Sequence, residues 1–267
     1  MSLSILLIGD TSRPEFREAA LAAGRAGDLL EAADAGAAAE AITSGRTTPD
    51  LIVVAQTFPG EFSAESIERL RRLAPLARVV GLLGSWCEGE TRTGKPLPAA
   101  IRLYWHQWLP RADEELRRLG SGQTSNWSLP ITASDEERLL AMADRPWEKR
   151  QGRVAIRSPR AEMYAWLADA CRLRGYTPVR LLGATGDAVP IAAAGALLFD
   201  GTDCQHDELA ELTRLAASMR PAPVVVLLDF PRPEDRDRAL AAGAAAVLGK
   251  PLLLEDLFWQ LDAVWAV

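Results

Sequence analysis

Cysteine and histidine are scarce in this sequence of 267 residues, and their positions exclude several kinds of site. The three cysteines, Cys87, Cys171 and Cys204, are an odd number and form no CxxC spacing, which argues against a disulfide framework and against a cysteine-based zinc site. The two histidines, His106 and His206, lie far apart, and no paired ligands stand near them. We therefore predict no metal site and a reducing, cytoplasmic location.

Long apolar runs and an excess of basic charge are also missing. No run of about 18 apolar residues occurs, so we expect no membrane contact, and the opening MSLSILLIGD lacks the charged segment of a signal peptide. The net charge of −6 and the isoelectric point near 5.2 argue against a nucleic-acid partner, which would select a basic face. Glycine-containing stretches such as GATGDA do not match GxGxxG, so no dinucleotide is expected and no cofactor is predicted.

Short apolar runs alternate with amphipathic segments, and the whole alternation occurs twice. The runs SILLIGD, PDLIVVAQ, GALLFDG and APVVVLLDF are apolar on both faces, as strands of a parallel sheet covered by helices must be. Five strands alternate with helices in each half, which predicts an α/β fold with two doubly wound five-stranded parallel sheets. We assign residues 1–120 to a first domain, residues 121–151 to a linker and residues 152–267 to a second domain.

The linker, residues 121–151, has its own features. Ser134 followed three residues later by Glu137 is a capping-box pattern, which predicts a short helix. Trp127 and Trp147 also lie in this stretch. Two large aromatic side chains in a linker indicate that it packs against a domain.

Several stretches resemble the receiver domains of bacterial response regulators, which act in two-component signalling and phosphorelays. In the second half, RPEDRDRALAAGAAAVLGKPLLLEDLFWQL is similar to the family's fourth helix, the turn after it, the fifth strand and the Lys-Pro bend. In the first half, ILLIGD and PDLIVVAQTFPG resemble its first and third strands. The resemblance covers most of the chain and implies a tandem repeat of receiver-like domains with the flavodoxin-like fold.

The resemblance also implies where a phosphorylation site would lie. In the family, two acids after strand one and an aspartate ending strand three hold Mg²⁺, and that aspartate accepts the phosphoryl group. A threonine or serine after strand four and a lysine after strand five stabilise the product. Oxygen ligands suit Mg²⁺, and charge neutralisation carries most of phosphoryl transfer.

The first half departs from this pattern at nearly every position. The residues at the five positions are Gly9 and Asp10, Ala55, Gly84 or Leu83, and Leu109 before Pro110. Asp10 is the one surviving acid, and Ala55 has no group that could accept a phosphoryl group. We predict that this site is dismantled.

The second half keeps more of the pattern. Asp200 matches the acceptor, and Lys250, followed by Pro251, matches the lysine. The acidic pair and the threonine are replaced by Arg157, Ser158, Pro159 and Leu228, while Asp203 and Asp229 are nearby acids that could substitute in part. We interpret Asp200 and Lys250 as a salt bridge in an inactive, pseudo-receiver site, with phosphorylation of Asp200 as the alternative.

The segment from Gly84 to Trp108 differs from the rest of the chain. It concentrates tryptophan, cysteine and histidine, and the glycines and prolines of GETRTGKPLP predict an irregular loop where the resemblance implies helix four. It follows the carboxyl end of a strand, where open α/β sheets bind ligands. Our candidate binding residues are Asp10, Trp86, Cys87, Glu88, Glu90, Arg92, Trp105, His106 and Trp108.

Each of these residues also has a purely structural interpretation. The tryptophans can cover the sheet in place of the missing helix. Glu88, Glu90 and Arg92 can form an ion-pair set that pins the loop.

Three functions follow as hypotheses. The first is a non-catalytic signalling or scaffold protein that acts through contacts with an unidentified protein partner or as a homodimer, without catalytic residues. The second is a small-molecule or peptide binding module that uses the Ser85–Trp108 loop. The third is an enzyme that uses Cys87 and His106, which would have to lie within hydrogen-bond reach of each other.

Overall fold

The chain divides into two units, Met1–Arg145 and Pro146–Val267. The computed structural model describes residues 2–93, 96–99, 101–123, 125–130, 132–134, 136–138, 140, 148–181 and 194–265. Among the helices of these residues, none has the length and apolar character needed to cross a membrane.

The first unit is built on a sheet of five parallel strands in the order β2-β1-β3-β4-β5. The strands are β1 (Leu3–Ile8), β2 (Gly27–Ala32), β3 (Leu51–Gln56), β4 (Arg78–Leu83) and β5 (Ile101–Tyr104). Every residue of β3 is buried, because the strand lies in the middle of the sheet with packed layers on both faces.

Local sequence signals explain where the helices of this unit begin. The helices are α1 (Pro14–Ala26), α2 (Ala35–Thr43), α3 (Ala64–Leu73), α4 (Glu90–Thr93) and α5 (Trp108–Gly120). Pro14 occupies the first turn of α1, where a missing N–H costs nothing. The Ser63 hydroxyl accepts a hydrogen bond from the Ser66 amide at 3.1 Å, so a serine caps α3, as this residue type commonly does.

The second unit repeats the architecture with the sheet order β10-β9-β8-β6-β7. Its strands are β6 (Arg153–Arg157), β7 (Thr177–Arg180), β8 (Ala196–Asp200), β9 (Val224–Asp229) and β10 (Ala246–Lys250). Its helices are α6 (Ala161–Arg174), α7 (His206–Met219), α8 (Pro233–Ala241) and α9 (Leu254–Trp265). The stretch ATGDAVPIAAA, for which the sequence predicts a short helix broken by Pro190, falls almost wholly on residues 182–193, which lie outside the described residues.

The predicted fold class is confirmed. Numbered along each unit, both sheets have the strand order 2-1-3-4-5, all parallel, which is the flavodoxin-like doubly wound order. Each unit therefore has a receiver-like fold, and the chain is a tandem pair of such units.

Apolar side chains pack on both faces of each sheet. In the first unit, Phe16 and Trp108 belong to the cluster on one face, and Ile67 and Leu70 to the cluster on the other. The second unit is organised in the same way, with one cluster around α7 and another around α9. The sheets are thus held rigidly from both sides, and their strand ends offer fixed positions for polar side chains.

Trp127 completes the core of the first unit. Its side chain is buried, and its ring centroid lies 5.8 Å from that of Trp108. The Trp127 amide donates to the Ser125 hydroxyl at 3.0 Å. Packing of this stretch against a domain is therefore confirmed at Trp127, whereas Trp147 lies outside the described residues.

The predicted capping box is also present. The Ser134 amide donates to Glu137 at 2.7 Å, and the Glu137 amide donates back to the Ser134 hydroxyl at 3.1 Å. Two backbone donors at the start of a helix are satisfied by this exchange.

Candidate functional site

The carboxyl ends of the parallel strands bring the positions that the resemblance matches to one edge of each sheet. In the second unit, Asp200 ends β8 and Lys250 ends β10. Arg157 pairs with Phe199 across β6 and β8, so Ser158, the next residue, lies beside Asp200. This edge is where open α/β sheets place their sites.

The Asp200 carboxylate is fully buried and is surrounded by donors. Lys250 Nζ donates to Asp200 Oδ1 at 2.7 Å, and the Ser158 hydroxyl donates to Oδ2 at 2.7 Å. Arg160 adds a two-point contact, with its Nε donating to Oδ2 at 3.2 Å and its Nη2 donating to Oδ1. Both oxygens of Asp200 are therefore engaged by charged donors as well as by a hydroxyl.

Asp229 joins the same ion-pair network. Its Oδ1 lies 2.8 Å from Lys250 Nζ, and its Oδ2 lies 3.5 Å from Arg160 Nη1. Two carboxylates thus face two cations, and the network is balanced in charge. Burial acts to raise the pKa of Asp200, but the hydrogen bonds from Arg160, Lys250 and Ser158 outweigh it and hold that pKa below its ordinary value.

The residues of this edge do not fit Mg²⁺. Magnesium requires several oxygen ligands in octahedral geometry, with carboxylates as its usual protein donors. The residues between β6 and α6, 158–160, include no carboxylate, and the Arg160 guanidinium lies against the oxygens of Asp200 where a cation would bind. Among the described residues, no three histidine, cysteine, aspartate or glutamate side chains are grouped so that they could hold a metal ion.

Arg160 is the residue of this site that the sequence reasoning missed. It occupies the position immediately before α6, and its side chain contacts Asp200 at the end of β8. The available signal was a basic residue immediately after the region in which the family has its acids. The register of the sheet, which sequence does not provide, is needed to see that Arg160 and Asp200 meet.

In the first unit, strand register identifies the equivalent positions. Val54 pairs with Ile8, the last residue of β1, as Phe199 pairs with Arg157, the last residue of β6, so the next residues, Ala55 and Asp200, are equivalent and Ala55 holds the acceptor position. Its methyl side chain has no nucleophile. The first edge therefore lacks the central group of the second one.

The lysine position of the first unit was predicted wrongly. Leu83 pairs with Tyr104 on β5, just as Leu228 pairs with Gly249 on β10, so Trp105 and not Leu109 is the equivalent of Lys250. The strand ends at Tyr104 and the chain turns at once into the 3-10 turn Trp105–Gln107. Leu109 lies in α5, and the Pro110 that follows it is a residue of the first helical turn rather than of a bend after a strand.

In the connection from β4 to β5, the described residues 84–93 and 96–99 include two short helical turns. These are the 3-10 turn Ser85–Cys87 and the four-residue helix α4, whereas the same connection in the second unit contains the nine-residue helix α8. Within the connection, Glu90 is fully buried and forms an ion pair with Arg102 of β5. Gln56 Nε2 donates to Glu90 Oε2 at 2.9 Å. This polar contact anchors the segment to β3 and β5.

Arg102 was not singled out from the sequence, although it is the cation that pairs with Glu90. Arg92, which the structural interpretation offered for an ion-pair set, is exposed, and the described part of the chain shows no ion pair for it. An ion pair therefore holds the loop, as the structural interpretation predicts, but the cation of that pair is Arg102 of β5 and not Arg92.

Cys87 and His106 have different neighbours. Cys87 is fully buried, its thiol lies 3.4 Å from the Gln56 carbonyl oxygen, and burial raises its pKa to about 12. His106 stacks on Tyr104 with ring centroids 5.9 Å apart, and its Nε2 lies 3.7 Å from Glu88 Oε1. A thiol with this pKa is not a thiolate near neutral pH, and only the thiolate is a nucleophile.

Of the remaining candidate binding residues, two have buried side chains and two have side chains exposed at the surface. Trp105 and Trp108 are buried in the core of the first unit, as the covering role predicts. Trp86 is 64% exposed, and Asp10 is also at the surface. Asp10 accepts hydrogen bonds from the hydroxyl and the amide of Ser12, at 2.5 and 3.1 Å, which lower its pKa.

Comparison with known proteins gives structural likenesses alone. No family model matches the chain, and no curated protein matches it. Among solved structures it is similar to the receiver domain of a Francisella response regulator, at 14% identity over 43% of this chain and 97% of that one, with a TM-score of 0.38. A putative response regulator from Chloroflexus aurantiacus gives 18% identity over 44% and 100%, with a TM-score of 0.40.

A third likeness is of the same kind. The signal receiver domain of a histidine kinase from Syntrophus aciditrophicus is 18% identical over 43% of this chain and 90% of that one, with a TM-score of 0.37. Each of these three matches spans less than half of the chain. The fold of the two units is established by their strand order and register.

Proposed function

We propose that this chain is a non-catalytic signalling or scaffold protein whose two receiver-like units act through protein contacts and not through phosphorylation of an aspartate. The observation that carries the proposal is the occupation of both Asp200 oxygens by Arg160, Lys250 and Ser158. The three cysteines are buried and form no disulfide bond, which fits the reducing cytoplasm that we propose as the location of the protein.

The chemistry of transfer supports this proposal. To accept a phosphoryl group, an Asp200 oxygen must attack phosphorus while the bond to the donor's leaving group breaks. Catalysis of that step consists mostly of positioning and charge neutralisation by Mg²⁺. Here the guanidinium of Arg160 neutralises Asp200 from within the chain, and the nearby side chains offer Mg²⁺ no free carboxylate pair. Ala55 leaves the first unit without an acceptor.

A phosphodonor assay tests the proposal. The full chain is incubated with Mg²⁺ and a small phosphodonor such as phosphoramidate, beside a receiver domain with a complete site as the positive control. We expect the mass of the chain to remain unchanged. An acid-labile gain of one phosphoryl group that is absent from Asp200→Asn would overturn the proposal.

The partner that we propose is a protein, and a second copy of the chain is one candidate. Analytical ultracentrifugation over a range of concentrations distinguishes a homodimer from a monomer. A monomer that captures no protein partner by crosslinking in its native cells would argue against a scaffold role.

The second candidate function is a small-molecule or peptide binding module at the Ser85–Trp108 loop. The observation in its favour is that Trp86 is 64% exposed and Phe58, on the neighbouring loop, is 52% exposed. The two loops begin next to each other, because the Gly84 amide, just after β4, donates to the carbonyl of Gln56 at the end of β3 at 2.8 Å. Cys87, Glu90, Trp105 and Trp108, in contrast, face the interior.

Tryptophan fluorescence tests this second function. Binding at the loop should quench or shift the emission of the parent chain but not that of Trp86→Phe. Trp166→Phe, which changes a partly exposed tryptophan of the other unit, is the matched control. A ligand signal that survives in Trp86→Phe and is lost in Trp166→Phe would place the site elsewhere.

A further inference from the structure

The loop that follows Asp200 is held by a carboxylate of its own chain. Glu208, in the first turn of α7, accepts hydrogen bonds from three consecutive backbone amides. The Thr202 amide donates to Glu208 Oε1 at 3.0 Å and to Oε2 at 2.9 Å. The Asp203 and Cys204 amides donate to Oε2 at 3.3 and 3.2 Å. Consecutive N–H groups that converge in this way form a nest for an anion.

Carbonyl groups of the same loop accept hydrogen bonds from residues of the Asp200 ion-pair network. Lys250 Nζ donates to the Gly201 carbonyl oxygen at 2.7 Å. The Asp229 amide donates to the Thr202 carbonyl oxygen at 2.9 Å. Three consecutive amides of the loop are therefore satisfied by Glu208, and the carbonyls of Gly201 and Thr202 are satisfied by residues at the ends of β10 and β9.

The backbone of the loop adopts a conformation that needs such support. Cys204 has a φ of 53°, in the left-handed region that side chains other than glycine rarely adopt. A non-glycine residue in this region persists when its surroundings over-determine it. A Cβ on Gly201 would lie 3.1 Å from Glu208 Oε2, so the small residue lets the carboxylate approach the backbone closely.

We propose that Glu208 is an internal anion that locks the β8–α7 loop in one conformation. The edge of the second unit around Asp200 then presents a fixed surface to partners, because the loop amides have no need of an external anion to order them. Glu208 is a positioning residue in this account and touches no substrate. The inference rests on the proposed function, in which this edge is a contact surface and not a phosphorylation switch.

Amide hydrogen exchange of the full chain, followed by NMR, tests the lock. Glu208→Gln keeps the size of the side chain and removes its charge. We expect the Thr202, Asp203 and Cys204 amides to exchange faster by roughly tenfold or more, since hydrogen bonds to a charged acceptor are the strong ones. Amides of β6 and of the first unit should be unchanged, which also shows that the variant is folded.

The matched control is Asp207→Asn. Asp207 is an exposed acid in the same first turn of α7, so its loss weakens the interaction with the helix dipole to a similar degree. Slow exchange at the three amides in Asp207→Asn and fast exchange in Glu208→Gln would support the lock. Unchanged exchange in Glu208→Gln, or equal acceleration in Asp207→Asn, would overturn it.

The phosphodonor assay on the same variants keeps the two proposals apart. A phosphoryl group on Asp200 of the parent chain would refute the proposed function while leaving the exchange result intact. Failure of the exchange result without any mass gain would refute the lock alone.

Discussion

Replacement of Asp200 by asparagine is the sharpest test of the idea that this aspartate is structural. The change keeps the size of the side chain and removes a fully buried negative charge. Lys250 and Arg160 are then left with Asp229 as their shared carboxylate. Removing one partner of a buried ion pair costs about 3–5 kcal/mol. We expect about 3 kcal/mol, because Lys250 keeps the Gly201 carbonyl and Arg160 is partly exposed to water.

Hydrogen exchange with mass spectrometry suits this measurement, because a chain of two units need not unfold in one step. Peptides from β6 and β8 report the opening free energy of the second unit, and peptides from β1 and β3 serve as the internal reference. Asp169→Asn is the control, since Asp169 pairs with Arg172 on the surface and its loss should cost less than about 1 kcal/mol. A loss within about 0.5 kcal/mol of zero in Asp200→Asn would refute the reasoning.

Combining Asp200→Asn with Arg160→Gln separates charge balance from packing. The double variant removes one charge of each sign, so it should be more stable than the sum of the two single losses implies. We expect a coupling of about 1–2 kcal/mol between the two sites, within the range for residues of one ion-pair network. Additive losses would mean that Arg160 does not neutralise Asp200.

Further predictions concern titration, the thiol and the core. The pKa of Asp200 is lowered in the folded chain, so its stabilisation is complete above the ordinary carboxyl pKa of about 4 and is lost as the pH falls through the lower folded value. The difference in unfolding free energy between the parent chain and Asp200→Asn, measured by urea unfolding at several pH values, should therefore be largest at pH 7 and decrease in acid. A difference that increases in acid would contradict this prediction. Because burial raises the pKa of Cys87 to about 12, this thiol should react slowly with iodoacetamide at pH 8 until urea unfolds the chain. Peptide mapping measures the labelling. Labelling of the native chain at the rate of a free thiol would restore the enzyme hypothesis. Trp108→Ala should destabilise the first unit by about 3–5 kcal/mol, because Trp108 is buried. Trp86→Ala should cost less than about 0.5 kcal/mol, because Trp86 is exposed. Hydrogen exchange of peptides from β1 and β3 measures both losses. Equal losses would mean that Trp108 contributes no more to the core than an exposed tryptophan does.

The fold could be predicted from the sequence because its signals are local. Runs such as LIVVAQ and VVVLLD are apolar on both faces, and only central strands of a covered parallel sheet require that pattern. Two repetitions of strand and helix then leave few topologies to choose from. The Asp200–Lys250 salt bridge was accessible through the resemblance to receiver domains, which matches Asp200 to the acceptor aspartate and Lys250 to the lysine.

The details of the site required tertiary geometry. Arg160 meets Asp200 only because the chain turns back after β6, and sequence separation gives no sign of that turn. The sequence predicts Leu109 as the first-unit equivalent of Lys250, because the Pro110 that follows it resembles the proline of a Lys-Pro bend. Strand pairing shows that the equivalent residue is Trp105. Glu90 finds its cation on β5, since Arg102 is brought next to it by the sheet.

The burial of Trp127 governs how the chain can be divided for experiment. A fragment that stops at residue 120 keeps every strand and helix of the first sheet, yet it removes the indole that lies 5.8 Å from Trp108. Such a fragment would open a cavity beside another tryptophan and expose an apolar surface prone to self-association. Truncation, two-hybrid baits and isotope-labelled single units should therefore extend through Ser128, whose hydroxyl also meets Arg78 of β4.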